Sequence, residues 1–339
     1  MAKHEHHRGS IALIGGDTLI GREIRELLEA SDFAGGVNLY STEDAGDVSI
    51  LTKARGSPVV MAPLASAGLS RTSLLVLAGS VESAAKALEL TGQADPRPVI
   101  VDLTCALEEE PAARLRSPML EAPDHAASAL IQVIAHPAAI ALGLLFKGLH
   151  AASRIRRAVV LVFEPASERG QAGLDELQQQ TVGLLSFKKL SKDVFDAQAA
   201  FNLLTRYGED APLALEDIES RIDRHLASLL AGAGNIPMPS LRLVQAPVFH
   251  GYSFSVWVEF EEAADPSALA VALASPQIEI RGKDEEPPSN VGAAGQSGIT
   301  VGAISADRNH PRACWIWMVA DNLRLAAENA LEVAREALA

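Results

Sequence analysis

The sequence predicts an α/β protein of two domains, a parallel-sheet domain first and a mixed α+β domain second. Three observations carry that expectation. The chain opens as strand, glycine turn, helix and strand, the order of a βαβ unit. The strands that follow are short, apolar and β-branched, as in a sheet covered on both faces. Beyond residue 137 the strands lengthen and helices gather beside them, which suits an α+β layout. A chain of 339 residues, 48% hydrophobic and 21% charged, can bury two cores.

Each element follows from local pattern. Ser10–Ile14 is an apolar strand, and Gly15-Gly16-Asp17-Thr18-Leu19-Ile20-Gly21 is the turn after it. Arg22 to Ser31 has helical spacing, with Ile24, Leu27 and Leu28 on one face. Gly35-Gly36 ends that helix, and Val37–Tyr40 completes a Rossmann-type opening. Val59–Ala62, Leu74–Leu77, Val99–Val101 and Ile131–Ala135 extend the parallel sheet, with Val81–Leu90 a helix carrying Ala84, Ala85 and Leu88. His136-Pro137 marks the change. Ala138–Leu149 reads as a buried helix and Ala158–Phe163 as a buried strand. Gly173–Leu185 and Ile218–Leu230 are helices, and Leu241–Val244 and Ser253–Phe260 are strands. In the last of these Val256, Val258 and Phe260 alternate with Trp257 and Glu259, so the two sets face opposite ways. Glu285–Gly298, rich in Pro, Gly and Ser, is a surface loop. Cys314–Val319 is a strand with Trp315 and Trp317 on one face, and Asn322–Ala339 is a terminal helix.

Composition removes several function classes. With 29 basic against 43 acidic residues the net charge is −14, which disfavours nucleic acid or an anionic membrane as partner. The run Arg154, Arg156, Arg157 is too short to offset it. The longest apolar stretch, Ala138–Phe146, is too short to span a bilayer and is followed by Lys147 and Gly148. The opening MAKHEHHRGS is a polar leader without a signal core, and His4, His6 and His7 read as solvated. Cys105 and Cys314 are the two cysteines, which excludes a disulfide framework or a Cys-rich zinc site. The expectation is a cytoplasmic protein with no structural metal.

The glycine turn admits two readings. A bare strand-to-helix turn lets a backbone approach a pyrophosphate at the helix N-terminus. Here the glycines are Gly15, Gly16 and Gly21, so G-x-G-x-x-G is not met, and Thr18 stands where another glycine would help. A tight turn with no ligand has the same appearance. Glu43, just past the second strand, suits the acid that binds a ribose 2′-hydroxyl, and it would repel a 2′-phosphate. Any dinucleotide is therefore expected to be NAD rather than NADP, unless Glu43 and Asp44 are simply a solvated turn.

Several segments together resemble the aspartate-semialdehyde dehydrogenase family, in that family's order along nearly the whole chain. They are IALIGGDTLIGREIRELLEAS, LLVLAGSVESA with Gly79 and Ser80, VIVDLTCA in place of D-x-S-S-A, and VIAHPAAIAL in place of N-P-N-C-x-x. Gly170 to Leu177, Ala200-Phe201-Asn202, QAPVFHGYS at Gln245 to Ser253, Val301-Gly302 and VADNLR at Val319 to Arg324 follow. The resemblance implies a Rossmann domain over 11–137 with 321–339, a catalytic and dimerisation domain over 138–320, and a terminal helix packed back on the first. Residues 1–10 form the leader. It also implies a homodimer, and it places Gly15, Gly16, Asp17, Thr18, Leu19, Ile20, Gly21, Glu43, Gly79, Ser80 and Asn322 at the cofactor.

The family's reaction, reductive dephosphorylation of an acyl phosphate or its reverse, uses a cysteine thiolate, a proton-moving histidine and a nicotinamide hydride. The resemblance puts the nucleophile's position at Ala139 and the histidine's at Tyr252. It puts the orienting glutamine at Glu164, the carboxylate-clamping arginine at Gln245, and the 2′-phosphate ligands near Glu43 and Asp47. Each change removes required chemistry, and the sequence looks closest to paralogues without an assigned reaction. The expectation is a degenerate site that retains NAD or a small metabolite. Two alternatives stay open: an NAD-dependent oxidoreductase rebuilt on Tyr252, Glu164 or Cys105 with His136 nearby, and a ligand-free scaffold.

Overall fold

The computed structural model describes residues 10–31, 36–41, 50–54, 57–69, 72–92, 94–121 and 129–338. The leader histidines His4, His6 and His7, and the acids Glu43, Asp44 and Asp47, lie outside the described residues. The chain divides into two compact units, Met1–Ala135 with Ala326–Ala339, and His136–Leu325.

In the first unit β1 (Ser10–Ile14), α1 (Leu19–Ala30) and β2 (Val37–Tyr40) form the opening βαβ. A hairpin follows, β3 (Ile50–Ala54) with β4 (Ser57–Met61), then α2 (Ser66–Leu69), β5 (Thr72–Leu77) and α3 (Val81–Thr91). β6 (Val99–Asp102), β7 (Ala113–Arg116) and β8 (Ile131–Ile134) complete it. The main sheet has the order β2-β1-β5-β6-β8-β7, and every pair in it is parallel. Its inner strands β1, β5, β6 and β8 are almost wholly buried, which is why they read as apolar runs rather than alternations, whereas the edge strands β2 and β7 are partly exposed.

One expected strand belongs elsewhere. The Val59–Ala62 run is not a strand of the parallel sheet. It pairs antiparallel with Ile50–Ala54 in a separate two-stranded sheet, and Ala62 alone of that run makes a parallel bridge to Tyr40. Apolar, β-branched composition does not distinguish a hairpin arm from a buried parallel strand.

The second unit holds α4 (Pro137–Ala152), β9 (Ile155–Glu164), a 3₁₀ turn at Ala166–Arg169, α5 (Gly170–Leu185) and α6 (Leu215–Ala231). β10 (Ser240–Gln245), β11 (Tyr252–Phe260), α7 (Pro266–Leu273), β12 (Ile278–Ile280), α8 (Asn290–Ala293), β13 (Ile299–Ala306) and β14 (Ala313–Ala320) follow. Its sheet runs β10-β9-β11-β14-β13-β12, with parallel pairs at the two edges and antiparallel pairs between. The loop expected over Glu285–Gly298 contains the short helix α8, started by the Ser289 hydroxyl accepting from Gly292 N–H at 3.1 Å.

Helix starts follow the capping residues. His136 caps α4 with Pro137 at its first position, and Asp265 and Pro266 repeat that arrangement at α7. α4 is apolar nearly all round and buried along its length, with Gly148 set where a Cβ would come 2.8 Å from Leu273 Cδ2. The last helix, α9 (Asn322–Leu338), starts on Asp321, whose Oδ1 accepts from Leu323 and Arg324 N–H at 2.9 and 3.0 Å. Its later turns pack within the first unit. Arg116, 1% exposed, binds Glu121 at 2.8 Å, Glu336 of α9 at 2.6 Å, and Gln132. Asn329 meets the Ser117 hydroxyl at 3.2 Å.

Glu259, on the other face of β11 from Val258, is fully buried, and Arg156, Arg157 and Arg312 converge on its carboxylate at 2.9, 2.5 and 3.2 Å. The period-two rule places its side chain opposite Val258; the arginine shell then covers it.

Candidate functional site

The glycine junction lies in the first unit. Gly15 has φ +83°, and a Cβ there would fall 2.6 Å from Gly79 Cα; one on Gly21 would fall 1.9 Å from Gly15 O. Close packing of strand end, turn and helix therefore already requires these glycines. Thr18 fills the turn with its hydroxyl, 2.9 Å from Gly15 O and 2.8 Å from Ala78 O, and accepts from Gly21 N–H at 3.0 Å. It is the cap of α1. Ser80 is likewise a cap, accepting from Ser83 N–H at 3.2 Å while Ser83 Oγ accepts from Ser80 N–H at 2.9 Å.

Does this junction fit a dinucleotide? In shape it does: Gly15, Gly16 and Gly79 leave the backbone bare, and Leu19 and Ile20 open α1 with N–H groups that a helix cannot satisfy itself. Asp17 in the same turn is less favourable: its buried Oδ1 has no hydrogen-bond partner among the described residues, and a carboxylate oxygen offers a phosphate no donor. Beside the same sheet, Asp102 accepts from Thr104 N–H at 2.8 Å, Thr104 Oγ1 at 2.6 Å and Leu107 N–H at 3.0 Å. Those bonds fold the loop that puts Cys105 at φ +56°.

The second unit gathers most of the remaining candidates. Ala139 is the third residue of α4 and fully buried, so a methyl group occupies that helix N-terminus. Glu164 ends β9, Gln245 ends β10 beside it in register, and Tyr252 begins β11. All three are fully buried. The Tyr207 hydroxyl donates to Gln245 Oε1 at 2.6 Å and lies 3.2 Å from Glu164 Oε1. Gln245 Nε2 donates to the Glu164 and Ala246 carbonyls at 3.0 and 2.9 Å, so both ends of the amide are occupied. The Tyr252 hydroxyl is 3.4 Å from Glu164 Oε2.

Around this core stand Glu168, Arg169, His136 and Asn322. Asn322 Nδ2 donates to Glu168 Oε1 at 2.8 Å and Ser167 Oγ at 3.0 Å, and its Oδ1 accepts from Gly251 N–H at 3.1 Å. Its amide is engaged inside the second unit. His136 Nδ1 accepts from Ala138 N–H at 3.3 Å, which leaves the proton on Nε2, 3.8 Å from Glu168 Oε2.

Burial dominates the protonation states. It holds His136 well below its usual value, helped by His225, Arg169 and Arg221, so the ring is neutral and its contact with Glu168 is no ion pair. Burial, and then the Glu164 carboxylate, pushes Glu168 up to about 7. Glu164 is raised by burial against the pull of Arg169. Burial raises Tyr207 and Tyr252 too, so both stay protonated as donors.

Four residues of this cluster, Glu168, Arg169, Tyr207 and His225, were not singled out by sequence. The first two carried a signal: Glu168-Arg169 are adjacent charges just after a strand end at Pro165. Tyr207 did not. It reaches the site because Glu176 and Gln180 of α5 clamp the preceding loop. Glu176 accepts from Val194 and Phe195 N–H at 2.6 and 3.2 Å, and Gln180 Oε1 accepts from Ala199 and Ala200 N–H at 2.8 and 3.1 Å.

Comparison with known proteins fits this architecture. Residues 146–325 match the semialdehyde dehydrogenase dimerisation domain. A USG-1 protein homolog of Azotobacter vinelandii is 30% identical over 335 residues, 96% of each chain. The chain belongs to the semialdehyde dehydrogenase family. An aspartate-semialdehyde dehydrogenase of Rickettsia bellii is 30% identical over 214 residues, 61% of this chain and 62% of its own. The structure of a probable aspartate-semialdehyde dehydrogenase from Pseudomonas aeruginosa aligns at TM-score 0.82 and 27% identity, over 96% of this chain and 97% of that one. Aspartate semialdehyde dehydrogenase II of Vibrio cholerae, at TM-score 0.79 and 23% identity over 97% of each chain, shares the fold. This semialdehyde dehydrogenase family chain thus has the expected parallel-sheet domain, mixed α/β domain and terminal helix. None of its described helices is long and apolar enough to cross a membrane.

Proposed function

We propose that this protein is a family member without aspartate-semialdehyde dehydrogenase activity, which binds a dinucleotide or small metabolite as a cytoplasmic homodimer. One observation carries the reading. The buried methyl of Ala139 stands at the helix N-terminus, and the polar groups facing the old site, Glu164, Tyr207, Gln245 and Tyr252, are bonded to one another. Alanine cannot form a thioester, and the saturated Gln245 amide offers no bidentate clamp for a carboxylate. Loss of a nucleophile alone costs several orders of magnitude in rate.

The homodimer is supported by an apolar face on the second sheet. Val159, Trp257 and Trp315 are direct cross-strand neighbours, as are Leu161, Ser255 and Trp317. Val159, Leu161 and Trp315 are 47%, 40% and 45% exposed, a patch that pairing of two copies would cover. For the dinucleotide, Glu43 favours NAD over NADP, and Asp17 weakens either.

Peptide mapping by mass spectrometry tests the central reading. The protein is incubated with aspartate semialdehyde and NAD or NADP without phosphate, conditions in which an active relative accumulates an acyl thioester. Cys105 and Cys314 are expected to remain unmodified. An acyl group on Cys105 would establish the rebuilt oxidoreductase instead.

A further inference from the structure

We infer that Arg169 forms an oxyanion site in the second unit, taking the carboxylate or phosphate group of a small ligand that position 245 no longer clamps. This rests on the reading above that the pocket binds without turnover.

The argument starts from unmet bonding. A guanidinium carries five N–H donors in a rigid fork. The Arg169 side chain is 13% exposed, and its Nε is buried with no hydrogen-bond partner among the described residues. Its NH2 lies 3.4 Å from Glu164 Oε1, well beyond the ~2.7–2.9 Å of a strong charge-assisted bond. That oxygen already has the Tyr207 hydroxyl at 3.2 Å. The neighbouring carboxylate is turned elsewhere, with Glu168 Oε1 on Asn322 at 2.8 Å and Oε2 towards His136 at 3.8 Å. So the edge of the fork that carries Nε makes no hydrogen bond among the described residues.

An unpaired buried donor is costly, and more so when charged, so folded proteins rarely leave one. Here the backbone holds it in place. The 3₁₀ turn that carries Arg169 is pinned to the segment after β10, with Ala166 N–H donating to Val248 O at 2.8 Å and Ser167 N–H to Phe249 O at 3.0 Å. A carboxylate or phosphate presents two oxygens at the spacing of the fork and satisfies Nε and a terminal nitrogen together. Two buried acids stand close by, but burial raises both Glu164 and Glu168, so protonation can relieve their repulsion of an anion. Gln245, saturated by Tyr207 and two carbonyls, cannot compete for the ligand.

The test is calorimetric titration of the full-length protein with sodium malonate and, separately, with inorganic phosphate. Saturable binding of at least one probe is expected, and the tighter of the two identifies the source chemistry. Arg169→Met should weaken it roughly tenfold or more, and Arg169→Lys, which keeps charge without the fork, by an intermediate factor. Circular dichroism checks folding; should the methionine variant not fold, the lysine variant decides. Absence of binding by the wild type, or equal binding by the variants, overturns the site. Turnover by the wild type with Arg169-dependent binding would overturn the proposed function and leave this site standing.

Discussion

Glu168→Gln is the perturbation with the clearest consequence for stability. The Glu168 side chain is 13% exposed, and burial followed by the Glu164 carboxylate lifts it from the usual 4.5 to about 7. Because the folded value exceeds the unfolded one, the folded state holds the extra proton between them. Stability is therefore full below about pH 4.5 and is lost as pH rises through about 7. A rise of about 2.5 units corresponds to about 3 kcal/mol, an upper figure because Glu164 shares the titration. Glutamine keeps the acceptor for Asn322 and removes the ionisation. Urea unfolding followed by tryptophan fluorescence reads this unit alone, since Trp257, Trp315 and Trp317 all lie in His136–Leu325. Between about pH 5 and about pH 8 the wild type should lose about 2–3 kcal/mol more than Glu168→Gln. Parallel pH dependences for the two proteins would refute the burial argument.

Three further outcomes follow from the same geometry. Asp17→Asn removes the charge at the start of α1 and should tighten NAD binding several-fold by calorimetry, from about 0.5–1 kcal/mol of relieved repulsion. Glu176→Ala strands the Val194 and Phe195 N–H groups and should destabilise the second unit by about 2–4 kcal/mol in the same fluorescence assay. Trp315→Glu puts a charge on the exposed apolar face, and light scattering after size exclusion should change from dimer to monomer.

What could be read from sequence tracks periodicity and order. β1, α1 and β2 were legible because a glycine turn separates two unambiguous patterns, and α4 because an apolar run starting at Pro137 has one reading. β7, β12 and α7 were not anticipated: ARLR and IEI are too short and polar for a strand pattern. β13 was hidden by Gly302 and by a register shift between Gly302 and Ser305. Alternation set Glu259 opposite Val258, but pattern does not show the arginines of other segments that bury its carboxylate. Within the site, Ala139, Glu164, Gln245 and Tyr252 emerged from the family resemblance, and strand register sets Gln245 beside Glu164. Tyr207 had no such signal, since its place depends on a loop held by Glu176 and Gln180.

The proposed lack of activity rests on the methyl group of Ala139 and on the bonding of Glu164, Gln245 and Tyr252 within their own cluster. Its most direct test is reduced-nicotinamide absorbance over time, with aspartate semialdehyde, phosphate and NAD, then NADP, for the wild type and Ala139→Cys. Both traces are expected to overlay the protein-free blank, because one restored thiol leaves the histidine and arginine positions as Tyr252 and Gln245. A wild-type rate that rises in proportion to protein concentration would contradict it.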